Sequence, residues 1–402
     1  MVLVCSVRDS KNLANVMRDI HVDHFGIKIM LPKALSYAIK VSSVSNIAAN
    51  ILKQQMLSLG GDVAVARGAL TGKTKKTDCL IMANLLQLKR LCNKLKKQPF
   101  GLGTLSSDIG LALKNYQRDK FTIDLGRYKL SLGGKSSIMG ILNLTPDSFS
   151  GDGWFKTHSK GFSAEALVDF AQKMVEDGAD IIDVGGESTR PGARPVSIKE
   201  ELSRTIPVIK VLTKKVKVPI SIDTFKPEVA KQALDNGVNI VNDISGLKNP
   251  KMCRVIAKYK AGAVMMHMKG NPQTMQTNPQ YANLIDEISA YLQAGLFRAQ
   301  DYGIDIEKLI IDPGLGFGKT FEHNLEILNN LGDFKVLGRP ILVGPSRKSF
   351  IGKILGKLPK ERLPGTISAC VLAVKNGASI VRVHDIKEVS EALKVSDAIN
   401  KI

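Results

Sequence analysis

From Ser137 to the C-terminus the chain repeats one unit. A short apolar run ends in a polar or glycine residue, a loop follows, and then apolar residues recur at helical spacing. The runs are Ser137–Thr145, Asp180–Gly186, Pro219–Thr224, Asn239–Ser245, Ala263–His267, Leu309–Gly314, Pro340–Ser346 and Ser379–Asp385. Most are nearly continuous in Ile, Val, Leu and Met, which suits strands buried on both faces of a parallel sheet. Helices are predicted over Ser163–Asp177, Ile198–Lys214, Pro227–Asn236, Pro250–Lys258, Tyr281–Tyr302, Phe321–Asn330, Arg362–Asn376 and Ile386–Ile399. Pro227 and Pro250 suit first turns, and Gly178, Gly237, Gly262, Gly303 and Gly377 suit C-terminal caps. Eight such units over residues 137–402 predict an α/β fold, a (β/α)8 TIM barrel. An open doubly wound sheet is the competing arrangement, but no GxGxxG turn with a downstream ribose-binding acid accompanies these strands.

The first 125 residues form a different pattern and predict a smaller α/β domain. Met1–Asp9 reads as a first strand. Ser36–Leu59 reads as one amphipathic helix ended by Gly60-Gly61, Asp62–Ala66 and Asp78–Ala83 as strands, and Leu85–Lys97 and Gly103–Asn115 as helices. Residues 126–136 belong to a linker or hairpin: across Tyr116–Gly134, Phe121, Ile123, Leu125 and Leu130 alternate at strand spacing.

Composition narrows the class. No stretch reaches the ~18–20 uninterrupted apolar residues of a membrane span, and the N-terminus lacks a basic segment followed by an apolar one. Cys5, Cys79, Cys92, Cys253 and Cys370 are odd in number and widely spaced, which opposes a disulfide framework or zinc site and predicts a cytoplasmic, reduced protein. The net charge is +20, unevenly placed: residues 1–136 carry 22 Lys and Arg against 8 Asp and no Glu. Such asymmetry can mark an anionic partner. The basic residues are dispersed, however, apart from Lys73–Lys76 and Lys94–Lys97, with no Arg/Gly/aromatic interleaving, so a nucleic-acid partner is not expected.

In a barrel enzyme the chemistry gathers at the C-terminal strand ends. Here every strand end carries an amide, carboxylate, cation or imidazole: Asn143, Asp183, Asp223, Asn242, His267, Asp312, Lys348, and Arg382 with His384. One Asp at such a place is ordinarily a turn former or cap. Eight polar strand ends facing one mouth are costly without a ligand, at a few kcal/mol for each unpaired group. Asp223, Asn242, Asp312 and Lys348 suit a flat heterocycle rich in N–H donors and ring nitrogens. Arg382 and His384, on the last strand, suit phosphate oxygens. Asn143 offers an oxygen to Mg²⁺, which prefers few protein ligands beside phosphate and water. The residues therefore suggest a heterocycle–diphosphate substrate.

Seven segments add a family. Ile138–Ser150 (IMGILNLTPDSFS), Asp183–Gly192 (DVGGESTRPG), Ser221–Thr224 (SIDT), Asn242–Ser245 (NDIS), Ile311–Lys319 (IDPGLGFGK), Ser346–Phe350 (SRKSF) and Arg382–Asp385 (RVHD) resemble, in order and spacing, dihydropteroate synthases of the pterin-binding barrel family. The resemblance implies condensation of (7,8-dihydropterin-6-yl)methyl diphosphate with 4-aminobenzoate in folate biosynthesis, with Mg²⁺ as cofactor. It implies pterin binding by Asp223, Asn242, Asp312 and Lys348, diphosphate binding by Thr189, Arg382 and His384, and metal binding by Asn143. Arg190, Pro191, Phe317 and Ser346 would shape the aminobenzoate site, and Asp147 and Phe149 would lie on a closing loop. A homodimer through the barrel helices is implied too, and the N-terminal extension resembles that of long-form members. After Ser150 the chain reads Gly-Asp-Gly, where the family more often has Asp-Gly-Gly.

The alternative within this barrel family is a methyltetrahydrofolate:corrinoid methyltransferase, which would share the Asp/Asn grip. It should lack the Ser188–Gly192 loop, the Ser346–Ser349 segment and the Arg382/His384 pair. A non-catalytic pterin-binding protein is a further alternative, opposed by intact residues in every motif.

Overall fold

A computed structural model describes residues 1–5, 10–145, 164–188 and 194–400. Two compact units divide between Lys114 and Asn115. The first holds a three-stranded antiparallel sheet of β1 (Ser36–Ser45), β2 (Asp62–Val65) and β3 (Lys76–Asn84), with β3 in the middle. Its core joins Val63, Cys79 and Ile81 of the sheet to Leu52, Met56, Leu88, Leu91 and Leu95 of the helices Asn46–Leu57 and Leu85–Leu95.

Two expectations for this unit are corrected. Of the strand expected over Met1–Asp9, residues 1–5 are in no strand and residues 6–9 lie outside the described residues; the first described element is the helix Ser10–Asp19. Ser36–Leu59 is a strand followed by a helix. Ser45 caps the helix by accepting the N–H of Ala48, and its preceding residues pair with β3 from Ser36 to Val41. Strand neighbours outweighed a pattern that also fits a helix.

The second unit is the barrel. Its strands are β6 (Ser137–Asn143), β7 (Ile181–Gly185), β8 (Ile220–Asp223), β9 (Ile240–Asp243), β10 (Gly262–Met266), β11 (Leu309–Asp312), β12 (Leu342–Val343) and β13 (Ile380–Val383). They are hydrogen-bonded in the order β11-β10-β9-β8-β7-β6-β13-β12, all parallel. A parallel bridge between Ile311 and Ile341 joins the two ends, so the sheet closes as expected. The β12 strand is shorter than its apolar run, because Pro340 and Pro345 have no N–H to give to the ladder. Gly262 is not a helix cap: Lys260 takes the left-handed position, and Gly262 opens β10, where a Cβ would meet Leu125 at 2.7 Å.

A hairpin, β4 (Phe121–Asp124) and β5 (Lys129–Leu132), belongs to the barrel unit. Its Phe121, Ile123, Leu125, Leu130 and Leu132 pack with Met139, Ile181, Ile240, Val264, Ile310, Leu342 and Ile380, one from each of seven strands. The hairpin thus stoppers the end where the strands begin. Each such side chain contributes about 1.5–3 kcal/mol on full burial. The opposite strand faces, such as Ile182, Val241 and Val381, pack with helix residues such as Ile209, Leu234 and Val389.

Candidate active site

Successive residues of a strand point to opposite faces, so every second one shares a face. Two positions beyond Ile181, Ile240, Ile310 and Ile380 of the stoppered layer stand Asp183, Asn242, Asp312 and Arg382. Asp223 stands two beyond Ser221 in the same way. One strand period therefore converts the apolar floor into a polar layer facing the mouth.

Arg382 organises that layer. Its Nε donates to Asp183 Oδ2 at 2.6 Å, and its other guanidinium nitrogen donates to Asp223 Oδ2 at 2.8 Å. Asn242 Nδ2 donates to Asp183 Oδ2 at 3.0 Å, which orients the amide. Asp183 is wholly buried, and Asn242 and Asp223 nearly so. Burial pushes the Asp223 carboxyl up to about 7; the Arg382 charge pulls it back, and Asp183, Glu201 and Asp243 push it further. Asp183 Oδ1 and Asp223 Oδ1 are buried with no hydrogen-bond partner among the described residues. Orphaned acceptors of this kind cost about 1–3 kcal/mol each, so a ligand bearing N–H donors would gain by filling them.

Asp312 is held through Oδ1, which accepts the N–H of Gly314 at 2.7 Å. Burial pushes its carboxyl up to about 6, opposed by that hydrogen bond and by the positive charges of Lys348, Lys319 and Arg382. The loop that follows turns on Gly314, Gly316 and Gly318, with φ of 71°, 78° and 64°. It passes close to the β10 loop: a Cβ on Gly314 would lie 2.0 Å from the His267 carbonyl oxygen, and one on Gly318 2.4 Å from that of Lys269. Glycine is the residue that fits both the angle and the space. The loop presents the Phe317 ring to Lys348, whose Nζ lies 4.5 Å from the ring centre.

Beneath the loop, Lys319 Nζ lies 2.9 Å from His267 Nδ1 and donates to the Phe317 carbonyl oxygen at 3.0 Å. Burial lowers the Lys319 ammonium to about 7, and burial together with the Lys319 charge pushes His267 down to about 2. Ser346 Oγ lies 3.0 Å from His384 Nδ1 and accepts the His384 backbone N–H at 3.3 Å. Between Ser346 and Lys348, Arg347 has a φ of 56° and grips Asp385 through two nitrogens at 3.1 and 2.5 Å.

Asn143 ends β6, and its Oδ1 lies 3.1 Å from where a Gly185 Cβ would be, so Gly185 leaves room for it. Among the described residues no three His, Cys, Asp or Glu side chains converge to hold a metal. A closed protein cage is absent from them. A single amide oxygen on the rim fits a hard cation that brings phosphate oxygens and water with it.

The sequence-predicted residues thus assemble in three sets: Asp223, Asn242 and Asp312 with Arg382 in the polar layer, Lys348 on Phe317, and Ser346 with His384. Arg382 stands with the carboxylates and His384 with Ser346, although only one residue separates them. Asp147, Phe149, Thr189, Arg190 and Pro191 lie outside the described residues. The flank of the second of these segments is anchored: Lys226 Nζ donates to Glu187, Glu201 and the Val196 carbonyl oxygen at 2.7, 2.6 and 2.7 Å. Three buried polar groups of the mouth were not among the predicted site residues: Asp183, His267 and Lys319. Asp183 had a signal, a charge inside the apolar run Ile-Ile-Asp-Val-Gly, and His267 had one as the polar end of its run, while the pairing of His267 with Lys319 needed the loop contacts.

The chain is similar to known proteins. Residues 139–384 match the family model for the pterin binding enzyme. The dihydropteroate synthase of Synechocystis is 49% identical over 279 residues, covering 69% of this chain and 94% of that protein. A crystal structure of Xanthomonas albilineans dihydropteroate synthase with 4-aminobenzoic acid superimposes with a TM-score of 0.64 at 39% identity, covering 70% of this chain and 99% of that one. A probable bifunctional folylpolyglutamate synthase/dihydropteroate synthase of Halobacterium salinarum is 39% identical over 378 residues, covering 94% of this chain and 44% of that protein. A match of that length extends into the N-terminal region as well as the barrel. The chain belongs to the pterin-binding enzyme family, among its dihydropteroate synthases.

Proposed function

We propose that the barrel mouth condenses (7,8-dihydropterin-6-yl)methyl diphosphate with 4-aminobenzoate, giving 7,8-dihydropteroate and diphosphate in folate biosynthesis. The observation that carries this reading is the buried layer of Asp183, Asp223, Asn242 and Arg382, with one carboxylate oxygen each on Asp183 and Asp223 that has no hydrogen-bond partner among the described residues. A pterin edge supplies the N–H donors that such oxygens lack. Asp312 and Lys348 flank the same ring.

The reaction breaks the bond between the pterin methylene carbon and the diphosphate oxygen and forms one from that carbon to the aromatic amine. As the bond breaks, positive charge spreads into the pterin ring. Asp312 and Asp223, in a low-dielectric pocket, stabilise that charge. Arg382, and His384 held by Ser346, face the departing anion. The amine is a weak base and attacks without a nucleophilic side chain; its proton leaves to solvent or diphosphate. Phe317 forms part of the aminobenzoate side and keeps water from the cation.

Asn143 would hold Mg²⁺ through its amide oxygen, and that ion when bound neutralises charge on the diphosphate. A homodimer is supported by exposed apolar side chains on three neighbouring barrel helices: Ile354, Leu355, Leu372, Val395 and Ile399. Among the described residues no helix is long and apolar enough to cross a membrane. We place the protein in the cytoplasm, where its five cysteines, none disulfide-bonded, stay reduced.

The test is product formation by the purified chain from the two substrates, with and without a chelator. Mg²⁺-dependent dihydropteroate supports the reading. Pterin diphosphate binding without dihydropteroate would point to the non-catalytic alternative, and methyl transfer from methyltetrahydrofolate to a corrinoid would point to the other barrel chemistry.

A further inference from the structure

Lys319 is nearly fully buried, at 3% exposure, at the close of the β11 loop. An ammonium group in such a place needs partners to offset lost hydration. Its two hydrogen-bond partners come from different strand ends: His267 Nδ1 after β10, and the Phe317 carbonyl oxygen within its own loop. The loop is tied to the β10 segment from outside too. Tyr281 Oη donates to the Gly318 carbonyl oxygen at 2.8 Å, and Gln276 donates to that of Gly316. Asn324 accepts the Gly316 N–H at 2.6 Å. Lys319 is the tie on the inner side, directly behind the residue whose ring meets Lys348.

We infer that Lys319 is a positioning residue of the reaction site: its buried amine links the Phe317 carbonyl oxygen to the His267 ring, and so fixes the Phe317 ring under Lys348 and keeps a cation beside Asp312. The inference rests on the reaction proposed above. With His267 Nδ1 accepting from the ammonium, the imidazole proton resides on Nε2. The charged groups acting on this spot are Asp312 of β11, Lys348 after β12, Arg382 of β13, and Lys248 and Lys269 of the β9 and β10 loops. Among them Asp312 favours the charged amine, and the Lys319 charge in turn lowers the Asp312 carboxyl.

Two variants of the full chain separate positioning from packing. Lys319→Met removes both donors and the charge. Lys319→Gln keeps a neutral donor for the Phe317 oxygen. With Lys319→Met, KM for 4-aminobenzoate should rise about tenfold, as a misplaced wall would give, and the Asp312 carboxyl, followed by carbon-13 NMR in the ligand-free protein, should titrate at higher pH. Lys319→Gln should keep much of the aminobenzoate KM yet show the same upward shift of Asp312. Lys319→Arg, retaining the cation, should leave Asp312 near its native value.

The inference is overturned if folded Lys319→Met or Lys319→Gln leaves the Asp312 titration and both substrate KM values native. If Lys319→Met does not fold, Lys319→Gln and Lys319→Arg decide through the NMR titration, where equal Asp312 curves for the two contradict the inference. The NMR readout needs no turnover. A native chain that makes no dihydropteroate would therefore sink the proposed reaction separately, leaving the Lys319–Asp312 link to be judged by its own result.

Discussion

Arg382 Nε lies 2.6 Å from Oδ2 of Asp183, a pair formed across the intervening strand β6 by residues 199 positions apart. Asp183 is wholly buried, so the guanidinium gains a partner that water does not screen. Truncating one member of such a pair strands the other. We predict that Asp183→Ala lowers stability by about 3 kcal/mol and raises KM for the pterin diphosphate, because Arg382 loses one of its two anchors. Denaturant unfolding and steady-state kinetics check both; a native KM in a folded variant would contradict the role given to this pair.

Asp312→Asn should separate stability from function. Burial raises this carboxyl from 3.8 to about 6, so the folded chain holds the proton more tightly than the unfolded chain does. Its contribution to stability therefore falls as pH rises from about 4 to about 6 and stays low above that. The amide keeps an oxygen for the Gly314 N–H. The variant should be the more stable protein at about pH 8, by on the order of 2 kcal/mol, with the gap closing toward pH 4. Its turnover should fall about 100-fold or more, as for loss of one charge-stabilising group. Melting curves across pH together with rates test the two halves.

The eight strands and their helices were legible because parallel strands buried on both faces leave near-continuous apolar runs. The polar mouth was legible for Asp223, Asn242 and Asp312, which end or nearly end their runs. Asp183 is a charge in its apolar run, but its role shows only when strands are set side by side: it stands two residues past Ile181, level with Asn242 and Arg382. His267 and Lys319 depend on a contact between the β10 and β11 loops, which no pattern along one segment encodes. Ser36–Leu59 misled because Ile39 and Val41 fit a helical face as well as a strand, and the pairing with β3 decided it.

The hairpin offers a control far from the chemistry. Ile123 is 1% exposed among the first layer of strand residues. Ile123→Ala should cost about 2–5 kcal/mol of stability and leave both KM values native at a temperature where the variant is folded. For the same reason, a chain truncated to begin at Leu130 should be less stable than one beginning at Asn115, since it loses Phe121, Ile123 and Leu125. Equal melting temperatures for the two truncations would contradict the stoppering role.

Lys226 joins Glu187 and Glu201, both nearly or wholly buried, two residues ahead of Thr189. Lys226→Met leaves two buried carboxylates facing each other and should destabilise the chain by about 3–5 kcal/mol. KM for 4-aminobenzoate should rise more than that for the pterin diphosphate, because Arg190 and Pro191 follow Glu187 in the chain. A uniform change in both KM values would argue that the cluster serves folding alone.

The most direct measurement of the central claim is the rate at which purified full-length chain converts the pterin diphosphate and 4-aminobenzoate into dihydropteroate, compared with Lys348→Ala. The native protein should release one diphosphate per dihydropteroate, and Lys348→Ala should be slowed about 100-fold or more while melting at the native temperature. A native chain that forms no dihydropteroate, or a folded Lys348→Ala variant with the native rate, would contradict the assignment of this reaction to the barrel mouth.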